Sequence, residues 1–148
     1  MTSHNRYCFR KLRLFCETVF INAGVSRKKA RTVASSLVEA DLRGVDSHGV
    51  VRTAIYVERM EKGMIDADAE VVIEKEHNAL ALVDGGNNFG SVVGQFSLDL
   101  AIRKAKEHGV GVVGVKHSNH FGTGAFYALQ AVKQNLIILV MSNASQTM

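Results

Sequence analysis

A histidine, an arginine and a tyrosine recur at four-residue intervals within the N-terminal half of the chain. His48, Arg52 and Tyr56 are spaced i, i+4 and i+8, which predicts one face of a helix capped by Asp46 or Ser47. Arginine matches a carboxylate with two parallel hydrogen bonds, and histidine exchanges a proton near neutral pH. The pattern indicates an oxo-acid or hydroxy-acid site in which Arg52 binds the carboxylate, His48 faces the neighbouring oxygen and Tyr56 is a further substrate contact. The alternative is an ordinary solvated helix face.

A second polar segment follows an apolar run that is typical of a strand. It contains Asn119 and His120, and it leads into another helix. Ligands of open α/β sheets gather at the carboxyl ends of the strands, and loop residues there often carry function. His120 is therefore a second candidate acid or base, and Asn119 is a neutral group that could orient a substrate. The alternative is a polar turn in which Ser118 or Asn119 caps the helix.

Three histidines raise the possibility of a metal site with hydrolytic chemistry. His117 and His120 form an H-x-x-H pair, and His48 could complete a three-histidine set. No carboxylate or cysteine joins them at ligand spacing, so we assign no metal ligand.

Two glycine-rich segments resemble phosphate-binding loops to different degrees. Residues 109–114 match G-x-G-x-x-G, but this segment follows a helix and is itself a predicted strand. A dinucleotide fingerprint must instead follow a strand and open a helix, so we exclude it. Residues 84–90 do lie between a strand and a helix, where an anion could bind, although a structural turn also explains them.

The elements that must position these residues follow from hydrophobic periodicity and from the glycines that stop each run. The pattern predicts five helices: 7–23, a second from Ser26 to Gly44, a third from the Asp46 or Ser47 cap to Gly63, then 91–108 and 125–134. It also predicts a hairpin of strands 70–75 and 79–83, a buried strand over 110–115 and an apolar strand over 136–141. The fold class is thus α/β, with an N-terminal helical region over 1–63 and an α/β sheet domain over 64–148.

Composition excludes several classes of protein. The 148 residues are 47% apolar and 22% charged, which is ordinary for a globular chain and argues against disorder. The net charge of +4 is not massed in a stripe with interleaved aromatic residues, so nucleic acid is not an expected partner. Two cysteines do not make a disulfide scaffold, and no apolar run is long enough for a membrane span. The N-terminus lacks an apolar signal core, so we expect a cytoplasmic protein.

The ordered set of motifs resembles one known family. The segments that carry the resemblance are Asp46-Ser47-His48-Gly49 with Arg52 and Tyr56, the Asp84-Gly85 loop, Ser118-Asn119-His120-Phe121-Gly122 and Met141-Ser142-Asn143. In this order and spacing they are similar to the malate/L-lactate dehydrogenase family, which is distinct from the Rossmann-fold lactate and malate dehydrogenases.

The resemblance implies hydride transfer between NAD or NADP and a 2-hydroxy or 2-oxo acid such as malate, lactate, sulfolactate or ureidoglycolate. It implies an α/β fold that binds the cofactor without the classical fingerprint. It carries acid/base roles to His48 and His120, carboxylate binding to Arg52 and cofactor contacts to Asn143 and Ala144. Family members often have serine where Ala144 stands here. The resemblance also implies a homodimer.

Chains of this family are considerably longer than 148 residues. We therefore expect this sequence to be an N-terminal part of such an enzyme. The alternative function is a truncated, catalytically incomplete chain that serves only as a folded or interacting remnant.

Overall fold

The computed structural model describes residues 6–143. Their order along the chain is α1 (Phe9–Asn22), α2 (Arg27–Leu42), a 3₁₀ turn (Asp46–His48), α3 (Arg52–Glu61), β1 (Val72–His77), β2 (Leu80–Asp84), α4 (Gly90–His108), β3 (Val112–Lys116) and α5 (Gly124–Val132). None of these helices is both long and apolar enough to cross a membrane. The architecture is α/β with its helical region first, as predicted from the sequence.

The first helices pack through a core of apolar side chains. Phe20 of α1 and Leu37 of α2 are fully buried, and the aromatic ring of Phe89, which directly precedes α4, meets Phe20 edge-on at 5.7 Å. Complete burial of one such side chain stabilises a fold by roughly 1.5–3 kcal/mol. Phe89 therefore fixes the start of α4 against the helical region. Ser26 precedes α2 at the predicted capping position, but its side chain makes no capping hydrogen bond.

The sheet is mixed and has the order β1-β2-β3 in the described part of the chain. β1 and β2 form the predicted antiparallel hairpin, and β2 runs parallel to β3 through the α4 crossover. The parallel register pairs Asp84 with Lys116, so both strands end at the same edge. The loops that follow start side by side, with the Gly85 amide donating to the Lys116 carbonyl at 2.9 Å. This edge of the sheet positions the segment containing His120.

Two strand predictions are wrong in part. β3 was expected to be buried, but Val112 is 53% exposed and Val115 42% exposed because β3 is the outer strand of the described sheet. Residues 136–141 form no strand, since no ladder partner lies beside them within residues 6–143. They still alternate as a strand does: Leu136, Ile138 and Val140 pack on the α5 cluster, and Ile137, Leu139 and Met141 are exposed.

The glycine motif over 109–114 does not form a phosphate loop, as expected. Gly109 ends α4 in the left-handed conformation, and the following residues enter β3.

Candidate active site

A tight turn between α2 and α3 carries His48. The Asp41 carboxylate of α2 accepts the Val50 amide at 3.0 Å and so holds this turn against the helix. Gly49 lies so close to Asp41 that a Cβ atom would stand 1.6 Å from its Oδ1 atom. Only glycine fits this approach, because any side chain would displace the carboxylate or the turn.

His48 and Arg52 are not on one continuous helix, which corrects the predicted i, i+4, i+8 face. His48 ends the 3₁₀ turn, Gly49 is extended, and α3 begins at Arg52, so only Arg52 and Tyr56 share a helical face. The Arg52 Nε atom donates to the Ser47 carbonyl at 2.7 Å, and His48 Nδ1 lies 3.0 Å from the Ser47 hydroxyl. Ser47 therefore contacts both the Arg52 guanidinium and the His48 imidazole, and it holds the two side chains on the same turn. The terminal nitrogens of Arg52 have no partner among residues 6–143.

The loop after β3 is held by backbone contacts. At Gly90 a Cβ atom would stand 2.1 Å from the Asn119 carbonyl, so the start of α4 lies directly against this loop. The Asn119 side-chain amide donates to the carbonyls of Asn87 at 2.7 Å, of Asn88 at 3.2 Å and of Met64 at 3.2 Å. The structure therefore shows Asn119 fixing the loop, with its side-chain N–H groups directed at the protein's own backbone.

His120 lies beside two residues of the first motif, Tyr56 and His48. The Tyr56 hydroxyl lies 2.7 Å from His120 Nδ1, and the His48 and His120 rings have centroids 5.1 Å apart. Tyr56 is buried between α1 and α4, where it packs on Phe20 and Phe89. The 64-residue separation of Tyr56 and His120 hid this contact from sequence reasoning. The only sequence signal was the four-residue step from Arg52 to Tyr56.

Burial and two arginines set the protonation of His120. Burial lowers the pKa of His120, and the guanidinium groups of Arg52 and Arg59 lower it further. Burial raises the pKa of the Tyr56 hydroxyl, an effect that Arg52 and Arg59 oppose. His120 is therefore neutral at neutral pH, and Tyr56 keeps its proton. A lowered pKa makes the protonated form of His120 a ready proton donor, and the Arg52 guanidinium beside it suits an anionic substrate.

His117 does not join the cluster of His48, Tyr56 and His120. His117 pairs with Asp84, its Nδ1 atom 3.0 Å from Oδ2, so it is engaged at the sheet edge. Residues 6–143 contain no group of three or more histidine, cysteine, aspartate or glutamate side chains placed to hold a metal ion. Asn143 is exposed in the segment after α5. Ala144 lies outside the described residues.

The start of α4 offers no open anion cradle. Asn88 Oδ1 accepts the Phe89 amide at 2.7 Å, and Gly90 is packed against the loop containing Asn119. Asp84 Oδ1 accepts the Gly86 amide at 2.9 Å. The Gly85 and Asn87 amides donate to backbone carbonyls of residues 116 and 117, so the 84–90 segment is a structural turn bound to the loop after β3.

The sequence and the fold match a known class of oxidoreductase. The family model described as malate/L-lactate dehydrogenase matches residues 8–148. The chain belongs to this family.

Individual relatives agree with that assignment. The chain is 41% identical over 130 residues to a malate dehydrogenase of Pyrococcus horikoshii, covering 88% of this chain and 36% of that protein. It is 42% identical over 120 residues to a malate/(S)-sulfolactate dehydrogenase of Methanothermus fervidus, covering 81% and 35%. It is 35% identical over 125 residues to a ureidoglycolate dehydrogenase (NAD(+)) of Escherichia coli K12, covering 84% and 36%.

The fold comparison gives the same result. The solved structure of the Pyrococcus horikoshii malate dehydrogenase superposes with a TM-score of 0.88 at 39% identity, covering 90% of this chain and 38% of that one. The predicted fold class is confirmed by this match. The chain spans little more than a third of the length of these relatives.

Proposed function

We propose that this chain supplies the substrate-binding and acid/base groups of an oxidoreductase acting on a 2-hydroxy or 2-oxo acid. The observation that carries the proposal is the cluster of Tyr56, His120 and His48, with a 2.7 Å hydrogen bond and a 5.1 Å ring separation beside the Arg52 guanidinium. The names of its relatives, which include malate, sulfolactate and ureidoglycolate dehydrogenases, support the substrate class.

Each side chain has a role that follows from its contacts. Arg52 binds the substrate carboxylate through its free terminal nitrogens, because Nε is already engaged with Ser47. His120 acts as an acid in its protonated form: the imidazolium gives its Nε2 proton to the oxygen on C2 during reduction, and a neutral imidazole with its proton on Nδ1 is left. Tyr56 holds the opposite nitrogen: its hydroxyl accepts from Nδ1–H in the imidazolium and in the imidazole left after proton transfer, and it donates to Nδ1 in the resting Nε2–H tautomer. We favour His120 over His48 as the proton donor, and His48 then orients the substrate oxygen.

NAD or NADP is the cofactor of the proposed reaction. When bound, the nicotinamide supplies or accepts the hydride at C2. The side-chain amide of Asn143 is exposed and has no hydrogen-bond partner among residues 6–143, so it is available to such a ligand. We propose Asn143 and Ala144 as cofactor contacts on the strength of the family resemblance, which also supports a homodimer.

A second candidate function is a folded module without activity of its own. The observation that favours it is the crowded start of α4, where Gly90 packs directly against the Asn119 and His120 backbone. The two candidates differ in whether the chain binds NADH or NADPH saturably.

Kinetic variants test the proposed roles. With NADH or NADPH and a panel of 2-oxo acids, His120→Gln should lower kcat by about 10²–10⁴-fold, the usual contribution of a positioned acid. Arg52→Ala should raise KM for the acid. His108→Gln is the matched control, because His108 lies at the far end of α4 and pairs only with Glu107. Equal kcat values for His120→Gln and His108→Gln would contradict the role given to His120.

A further inference from the structure

A second arginine lies on the same stripe of α3 as the residues already described. Arg52, Tyr56 and Arg59 are spaced i, i+4 and i+7 within one helix. Seven residues amount to nearly two full turns, so Arg59 projects about 20° from the direction of Arg52 and about 10 Å further along the axis. Arg59 was not part of the His48, Arg52 and Tyr56 motif from which a carboxylate site was predicted.

Neither arginine is neutralised by the protein. The ion pairs within residues 6–143 involve other cations, and no carboxylate lies within 4.0 Å of the Arg52 or Arg59 side-chain nitrogens. Arg59 follows Tyr56 by three residues, so it lies one helical turn beyond the residue that binds His120. Arg52 and Arg59 both disfavour a positive charge on His120. Like charges gathered at a partly buried site repel one another, and an anion of matching charge relieves that repulsion.

We propose that Arg59 is a second anion contact that makes this site selective for dianionic 2-oxo and 2-hydroxy acids. Arg52 binds the carboxylate next to the reacting carbon, and Arg59 binds the distal carboxylate or sulfonate. The inference rests on the proposed function, because it assigns Arg52 and the histidines to an acid substrate.

A helix-stabilising role for Arg59 makes a different prediction. Arg59 lies in the last turn of α3, where a cation interacts favourably with the helix dipole. In that role its loss would lower stability slightly and would leave discrimination between acids unchanged. Selectivity between a dianion and a monoanion is therefore the readout that separates the two roles.

The test is a binding titration of the 148-residue chain with L-malate and L-lactate at fixed ionic strength. The imidazole NMR signals of His48 and His120 report occupancy of the site without requiring turnover. Arg59→Gln should weaken malate binding by about tenfold or more, as expected for a lost charged hydrogen bond, and should change lactate binding less than twofold. Arg52→Gln should weaken both acids. Arg103→Gln is the control, because Arg103 pairs with Glu76 at the hairpin.

The outcomes are distinct. If Arg59→Gln weakens both acids equally, or neither, while the wild-type chain binds both, the selectivity role of Arg59 is wrong and the proposed function stands. If the wild-type chain binds neither acid, the acid site itself is wrong, and the inference fails with it. A urea titration of each variant verifies that the fold is retained.

Discussion

Removal of one hydroxyl, in Tyr56→Phe, tests the central contact of the site. The Tyr56 hydroxyl is 2.7 Å from His120 Nδ1 and joins α3 to the loop after β3. The phenylalanine ring would keep the packing of Tyr56 on Phe20 and Phe89, whose centroids lie 6.5 Å and 6.0 Å away. The substitution therefore removes one hydrogen bond and little else.

The expected loss is that of a single partly buried hydrogen bond. Such a bond contributes about 0.5–1.5 kcal/mol to the free energy of unfolding. For a chain of this size, each kcal/mol corresponds to roughly 2–4 °C in Tm. A truncation to alanine would instead open a cavity and cost about 3–5 kcal/mol, so the conservative variant isolates the hydroxyl.

The hydroxyl also determines which nitrogen of neutral His120 carries the proton. Tyr56 is buried, and its O–H has no other acceptor among residues 6–143, so it donates to Nδ1. Neutral His120 then carries its proton on Nε2, the nitrogen assigned to the substrate oxygen. At about 1 kcal/mol, loss of this bond lowers the preference for the Nε2–H tautomer by roughly fivefold.

Two measurements examine this prediction. Urea unfolding gives the change in stability, and two-bond ¹H–¹⁵N spectra of the imidazoles give the tautomer of His120. Tyr7→Phe is the control, because Tyr7 is 72% exposed and lies before α1. If Tyr56→Phe and Tyr7→Phe have the same free energy of unfolding and the same His120 tautomer, the Tyr56 hydroxyl does not position His120.

Two further variants probe the electrostatics and the geometry of the site. Arg52→Gln should raise the pKa of His120, because it removes a nearby cation that disfavours the imidazolium; a pH titration of the His120 signals measures this, and an unchanged or lower pKa contradicts it. Gly49→Ala should destabilise the chain by about 1–3 kcal/mol, since its Cβ would stand 1.6 Å from Asp41 Oδ1. Gly114→Ala is its control, with the nearest atom at 3.5 Å; similar unfolding free energies for the two would show that the Asp41 contact imposes no constraint.

Much of the fold could be predicted from local pattern. The helical runs and their glycine stops predicted α1, α2 and α4 to within about two residues, and the polar turn predicted the β1–β2 hairpin. These features depend on neighbours in sequence, where periodicity is informative. Residues 136–141 show the limit of this reasoning. Their alternation is that of a strand, but a strand also needs a hydrogen-bonding partner, which pattern alone does not supply.

The site was predicted in its residue types and not in its geometry. The histidines and Arg52 were recognised because few side chains perform their chemistry. The break between His48 and Arg52 was missed because it depends on the Asp41 carboxylate, which reaches the turn from another helix. The bond between Tyr56 and His120 joins residues that are far apart in sequence. Such tertiary contacts carry no local signature.

The most direct test of the proposed function is a fluorescence titration of the purified 148-residue chain with NADH and with NADPH, with its intact mass recorded on the same sample. We expect saturable binding of at least one nicotinamide nucleotide. A 2-oxo acid should strengthen this binding, and it should do so less in Arg52→Ala. Absence of saturable binding of both nucleotides, with the mass of the intact chain confirmed, would contradict hydride transfer by this chain and support the inactive module.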